Sequence, residues 1–340
     1  MSSTGMKKRC TAAFIALFVL IVIAAYISLA TGSVDVSGRA LFDVILGRST
    51  DKMYRSVIFD IRLPRTAAAF ILGGALALSG YMLQTFFNNP IAGPFVLGIS
   101  SGAKLTVAMA LIFVLSRGKK AGSAVLVAAA FIGAILAMGF VLALSVKVKS
   151  MGILIVCGIM TGYICSAVTD IVVTFADDAN IVNLHNWSMG SLSGMDMQDV
   201  SIMSAIVGIC VVLAVFLIKP IGAYRLGEAY AGSGGVNITL LRVMLILISS
   251  LLAATVTAFA GPISFVGIAV PHLFRGTTKT SEPSVMIPGC FMTGAVVTIL
   301  CDTIARCVFA PTEVSISSVT AVLLVPVVIT VMIRRRKGSE

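Results

Sequence analysis

Charge is what this sequence has least of. Asp, Glu, Lys and Arg make up 11% of its 340 residues, where an ordinary soluble domain carries about 25%. Hydrophobic residues reach 58% and mean hydropathy is +1.06. A soluble fold cannot hide that much apolar surface, so the solvent is lipid. Histidine occurs only as His185 and His272, and no HExxH or other metal-ligand spacing exists, so neither a metal site nor Ser-His catalysis is expected. The seven cysteines form no CxxC pair and lie mostly in apolar segments, where Cys acts as a small hydrophobe. No GxxxxGK[ST] loop occurs, so the chain cannot hydrolyse ATP by a Walker-type mechanism on its own. No Pro/Ser-rich linker divides it, and residues 1–340 read as a single transmembrane domain.

What is present is a series of apolar runs. A span needs about 20 apolar residues, and windows 11–31, 66–87, 93–115, 121–146, 151–176, 199–219, 240–260, 285–308 and 313–333 qualify. The first follows Lys7, Lys8 and Arg9 and is too long for a signal-peptide core, so it reads as an uncleaved first helix. A shorter apolar piece, 262–274, lies between Gly261-Pro262 and Pro271-His272 and completes ten crossings if it spans. An even number puts both basic termini on one side. With that side cytoplasmic, fourteen basic residues lie inside and ten outside, a modest positive-inside bias that the outer Arg117-Lys119-Lys120 cluster opposes. The net charge of +11 therefore reports membrane topology rather than nucleic-acid binding, since no basic aromatic stripe accompanies it. The expected fold is an all-α polytopic helix bundle.

Few motifs carry chemistry. Gly98-Ile99-Ser100-Ser101-Gly102 matches G-x-S-x-G, but a nucleophile elbow needs a preceding strand; Gly98 and Gly102 read better as a helix-packing face. Lys104 and Asp170 fall inside spans, where a charge costs about 2.5–3.5 kcal/mol and so faces a cavity, a partner or the interface. Lys104 lies near a helix end and can snorkel; Asp170 can pair with it or line a path. The Lys219–Arg242 loop (about 220–240) holds a short amphipathic stretch, LGEAYA, then GSGG, then Asn237 as a helix cap. Such an element suits a groove on a partner or serves as a plain connector. Loop 177–198 carries Trp187, an interfacial anchor or part of an entrance. A faint inverted repeat relates Arg65, Gly80 and Asn89-Pro90 to Arg242, Gly261-Pro262 and Pro271-His272.

Several ordered blocks resemble the permease subunits of ABC importers for iron-siderophore, haem and vitamin B12 complexes. They are Arg62-Leu63-Pro64-Arg65, Gly74 to Gly80 with Gln84, Asn89-Pro90-Ile91-Ala92, Trp187 with Gly190-Ser191-Leu192, Leu226-Gly227-Glu228 with Ala231, and Gly235-Val236-Asn237. Gly261 to Gly267, Pro271-His272 with Arg275, Asp302 with Arg306, and Glu313 continue the match. The resemblance implies a type II ABC importer permease of about ten helices. It would work as a dimer with a second copy or a paralogue, beside two ATP-binding cassette subunits that bind the ATP and Mg, and with an extracytoplasmic substrate-binding protein. The chain itself would bind no cofactor and would not be an enzyme. Arg62, Arg65 and Arg306 would form an outer rim that docks the binding protein. Leu226, Gly227, Glu228, Ala231, Gly235 and Asn237 would form the loop coupled to the ATPase, and Ser150 and Met151 the cytoplasmic gate, with Asp170 on the path. An ion-gradient-driven secondary transporter is the alternative, for which Asp170 is the candidate acid. Departures occur at Gly93, at Gly276 to Lys279, and at Val314 to Ser317, where a proline and a glycine of the family are missing, so the last helix is expected to start differently.

Overall fold

A computed structural model describes residues 3–32, 36–48, 51–115, 123–148, 150–308, 310 and 312–337. The Arg117-Lys119-Lys120 cluster and Lys149 lie outside the described residues. Among the described residues every regular element is a helix, and there are no strands. In order, the α-helices are α1 (Ser3–Ala30), α2 (Gly38–Ile45), α3 (Lys52–Ser56), α4 (Leu63–Phe86), α5 (Ile99–Leu115), α6 (Ser123–Lys147), α7 (Met151–Thr174) and α8 (Asp178–Ser188). They continue as α9 (Met197–Phe216), α10 (Ile218–Tyr224), α11 (Glu228–Ser233), α12 (Ile238–Ala260), α13 (Val266–Thr278), α14 (Pro283–Cys307) and α15 (Ile316–Lys337). A π-helical turn, Val57–Arg62, joins α3 to α4, so that Lys52–Phe86 is one continuous apolar helix.

Among the described residues, seven helices are long and apolar enough to cross a membrane, and stretches of α5 and α15 add two shorter apolar ones. α13 is too short to cross alone; between α12 and α14 it completes a tenth passage along the bundle, starting four residues later than the apolar window suggests. Gly261 (φ 71°) and Phe265 (φ 64°) break the chain after α12, and helix resumes at Val266. Thirteen residues reach only about 20 Å, so non-helical 261–265 supplies the remaining depth. Such backbone is tolerated in hydrocarbon only when protein surrounds it. Here Gly261 and Ile263 are buried, the Ala260 carbonyl accepts from Ser191 N at 2.8 Å, and Ser317 Oγ donates to the Pro262 carbonyl. Ten crossings place both termini at one end of the bundle, here called the terminal end.

Helix burial sets the layers. The apolar windows of the α3–α4 helix, α12 and α14 are 83%, 72% and 61% buried, those of α1 and α7 only 17% and 22%. These three, with the largely buried α13, form the core, and α1, α6, α7 and α9 lie around it. Lipid tails are as apolar as Leu, so close van der Waals contact rather than the hydrophobic effect holds such helices together. The glycines supply it. A Cβ built on Gly73 would lie 2.6 Å from the Gly294 carbonyl oxygen, and one on Gly80 1.7 Å from that of Gly267. α4 therefore touches α14 and α13 backbone to backbone. The Gly98/Gly102 face behaves likewise: a Cβ on Gly102 would meet the Gly133 carbonyl at 2.7 Å, and one on Gly98 the Gly162 nitrogen at 3.0 Å. At the start of α15, where the proline and glycine are missing, Ser315 Oγ accepts from Ser318 N at 3.2 Å and caps the helix instead.

Gly80→Ala is expected to cost about 3 kcal/mol or more, because the obstacle is rigid backbone. Gly139→Ala, with nothing within 4 Å of the added carbon, is expected to leave stability nearly unchanged; thermal unfolding of both variants in detergent checks the contrast.

Candidate functional site

Two polar clusters lie at opposite ends of the core. The first begins with helix geometry: the π-turn ends at Arg62, and Arg65 follows on the first turn of α4 behind Pro64. α14 delivers Asp302 and Arg306 one turn apart, and the connection after it delivers Glu313. Arg65 is the hub. Its Nε donates to Asp302 Oδ2 at 3.0 Å, its Nη2 to Asp302 Oδ1 at 3.0 Å, and its Nη1 to Glu313 Oε1 at 2.9 Å. Arg306 stands 3.9 Å from Asp302 and donates to the Ser28 carbonyl and, at 2.8 Å, to Ser28 Oγ. Arg62 Nη1 donates to the Leu29 and Ala30 carbonyls at 2.7 and 2.9 Å. Ser28 in turn hydrogen-bonds Thr66 at 2.8 Å.

Two arginines thus cap the C-terminus of α1, whose last carbonyls have no helical partner. Arg65 and Arg306 face two carboxylates here, and the roughly half negative charge of the α1 C-terminus favours Arg62 and Arg306 beside it. This revises the expected outer rim. The structure gathers Arg62, Arg65 and Arg306 at one end but turns them inward, at 3%, 7% and 8% exposure. A buried cation needs fixed partners, and α1 and Asp302 provide them. The surface-facing member is Glu313, whose side chain is 43% exposed while that of Asp302 is 1%.

The second cluster is at the terminal end. The LGEAYA stretch folds as α11, entered through Gly227 at φ 124° and left through Gly235 at φ 84°. Asn237 caps α12, its Oδ1 accepting from Leu240 N at 3.0 Å. Ala231 is buried, whereas Leu226 and Tyr230 are 70% and 61% exposed. Glu228 pins α11 to its neighbours: its Oε1 accepts from Tyr224 Oη at 2.9 Å and from Arg242 of α12. Burial pushes the Tyr224 phenol above its usual range, so it stays protonated and remains the donor. Beside this loop opens a polar cavity of about 390 Å³, lined among others by Gln84, Asn89, Met151, Arg225, Glu228 and Arg275.

Met151 therefore lines the cavity, while Ser150 caps α7 by accepting from Ile153 N at 3.5 Å. Asp170 is exposed near the far end of α7 and forms no ion pair with Lys104. The breaks of the faint repeat meet: His272 Nε2 lies 2.8 Å from the Pro90 carbonyl. Gln84 Nε2 donates to the Ile268 carbonyl at 3.1 Å. Trp187, in the segment read as loop, belongs to α8, and its carbonyl packs on Gly261. Sequence reasoning missed the roles of Ser28 and Thr66, which no motif marks. Asp302 and Glu313 were visible only within the family pattern.

A model of the FecCD transport family matches residues 20–334. The vitamin B12 import system permease protein BtuC of Salmonella paratyphi A is 33% identical over 277 residues, 82% of this chain and 83% of that one. That of Klebsiella pneumoniae is 35% identical over 279 residues, with the same coverage. A solved inward-facing structure of a metal-chelate type ABC transporter superposes with TM-score 0.84 at 27% identity, covering 95% of this chain and 99% of the other.

Asp302→Ala leaves Arg65 without its inner carboxylate and is expected to cost about 3–5 kcal/mol. Glu313→Ala, removing a half-exposed partner, is expected to cost no more than about 1 kcal/mol. Denaturant unfolding of the two variants side by side tests the order.

Proposed function

The chain belongs to the FecCD transport family, as the membrane permease subunit of an ABC importer, and from that premise we propose that it carries a corrinoid or iron chelate, such as a ferric siderophore or haem, into the cytoplasm. The terminal end faces the cytoplasm, and the permease pairs with a second copy or a close paralogue. ATP and Mg are held by two separate cassette subunits. The observation that carries this reading is α11: a short helix with an exposed surface, braced from behind by Glu228, Tyr224 and Arg242. An exposed helix with a rigid back fits a groove on a partner and passes on the partner's movement. Because Glu228 is tied to α12, displacement of α11 pulls on a core helix, and the cavity beside it is the exit that opens or closes. Alternating access follows if ATP binding and release favour different positions of that helix. The corrinoid half of the cargo assignment draws on the names of the vitamin B12 permeases, the chelate half on the metal-chelate transporter.

At the other end, an extracytoplasmic binding protein delivers the cargo near the Arg62, Arg65 and Arg306 cluster. Charges there orient the partner more than they add affinity.

The test is co-expression and purification with candidate ATP-binding cassette subunits, followed by ATPase assay and vesicle uptake of cobalamin and of ferric chelates. The wild type is expected to form the complex and to take up one of these cargoes with ATP. Glu228→Arg breaks the brace and is expected to cut ATPase activity at least tenfold. The double change Glu228→Arg with Arg242→Glu restores the pair and recovers much of it. A chain that binds no cassette subunit, and whose uptake instead follows an ion gradient, sinks the importer reading.

A further inference from the structure

The cluster around Arg65 is asymmetric in a way that simple charge pairing does not require. One guanidinium binds two carboxylates, and they differ in depth. Asp302 takes Nε and Nη2 from within the core at 1% exposure; Glu313 takes Nη1 from a surface connection at 43% exposure. Asp302 is rooted in α14. Glu313 sits in the connection between α14 and α15, where Val314 N is held by the Ala305 carbonyl at 2.9 Å. Arg62 and Arg306 spend donors on α1 carbonyls. If Glu313 swung into water, Arg65 and Arg306 would share one buried carboxylate and the Nη1 edge of Arg65 would lose its acceptor, a place that suits an anion of carboxylate geometry.

We propose that Glu313 is a built-in stand-in: it occupies the outer edge of Arg65 until an acidic side chain of the docking partner takes its place. Asp302 stays bound throughout and holds the guanidinium plane in position, so the incoming carboxylate meets a preset pair of donors. Glu313 can leave readily because its side chain is already half in water. Its departure frees the connection three residues ahead of α15. Ser317 on that helix donates to the Pro262 carbonyl at the break before α13, so the exchange is felt at the point where the core backbone is least regular. An empty permease thereby keeps its arginine cluster neutralised, and a partner without a well-placed acid gains nothing by contact.

The inference rests on the proposed docking of a substrate-binding protein near this cluster, and adds that an acidic side chain of that protein meets Arg65. The test uses the full chain, assembled with its cassette subunits in nanodiscs, and as the probe the substrate-loaded binding protein that supports uptake in the vesicle assay. Its Kd is measured at low and high salt for wild type, Glu313→Gln and Arg65→Gln. Arg55→Gln, an exposed charge on α3, reports general steering alone. With the competing carboxylate gone, Glu313→Gln is expected to bind about tenfold tighter, a change worth about one charge-assisted hydrogen bond, and Arg65→Gln at least tenfold weaker. Equal or weaker binding by Glu313→Gln, with Arg65→Gln still impaired, overturns the exchange and leaves the docking reading standing. Normal binding by Arg65→Gln removes the docking role itself. If Glu313→Gln does not fold, Glu313→Asp, with a shorter reach and a looser bond, is expected to shift Kd in the same direction; no shift rejects the stand-in.

Discussion

Everything in this bundle depends on α4 being narrow enough for its neighbours to reach its backbone. In lipid, burial of apolar side chains does not by itself drive helices together, so contact must come from fit. Gly73 against Gly294 and Gly80 against Gly267 set the distance of α4 from α14 and α13 within the thickness of a glycine. The same contacts fix register. Arg65 lies eight residues before Gly73, and Asp302 eight residues after Gly294. In an antiparallel pair those steps climb the same ~12 Å from the glycine contact, which is why a short carboxylate on α14 reaches the guanidinium on α4. The ion pair needs the glycine seam first.

Burial then dictates what the arginines do. An exposed arginine is free to serve a partner; one with under a tenth of its surface accessible must have its hydrogen bonds filled from within. The end of α1 offers carbonyls that no helical amide can reach, and two arginines fill that need. A cluster legible as three positive charges is, once folded, a helix cap joined to a two-carboxylate clamp. Its outward face is acidic.

Much of the fold was legible in the sequence because each crossing is set by local hydropathy, and so was the break at Gly261-Pro262. The half-helix after it was displaced because nothing in the composition marks Phe265 as the residue that turns the chain. The short elements α2, α3 and α8 were not separated from loops: they are too short for a periodic signal, and their contacts, such as Trp187 on Gly261, are non-local. The turns around α11 were legible in outline, with Gly227, Gly235 and Asn237 at the positions where a turn or cap requires them. The bond from Arg242 to Glu228 was not, since fourteen residues separate them. The inward turn of the arginines was equally hidden, because sequence gives a charge its place along the chain but not its depth.

The two clusters share a structural path. α13 begins at the Pro262 break, where Ser317 of α15 and the α8 segment meet the backbone, and ends beside the polar cavity. Along the way it is tied to the end of α4 by Gln84 and to Pro90 by His272. A helix of half length, fixed by hydrogen bonds at its middle and bounded at each end by residues in left-handed conformations, Phe265 and Lys279, is better suited to pivot than to stretch. The full-length α4 and α14 beside it are held by glycine contacts that resist sliding. The Glu313 connection and α11 are therefore both linked to α13, one through Pro262 and the other through the cavity wall. That convergence gives the irregular backbone at depth a physical reason to exist: a straight tenth helix would cross the membrane equally well but would leave the two ends with nothing soft between them.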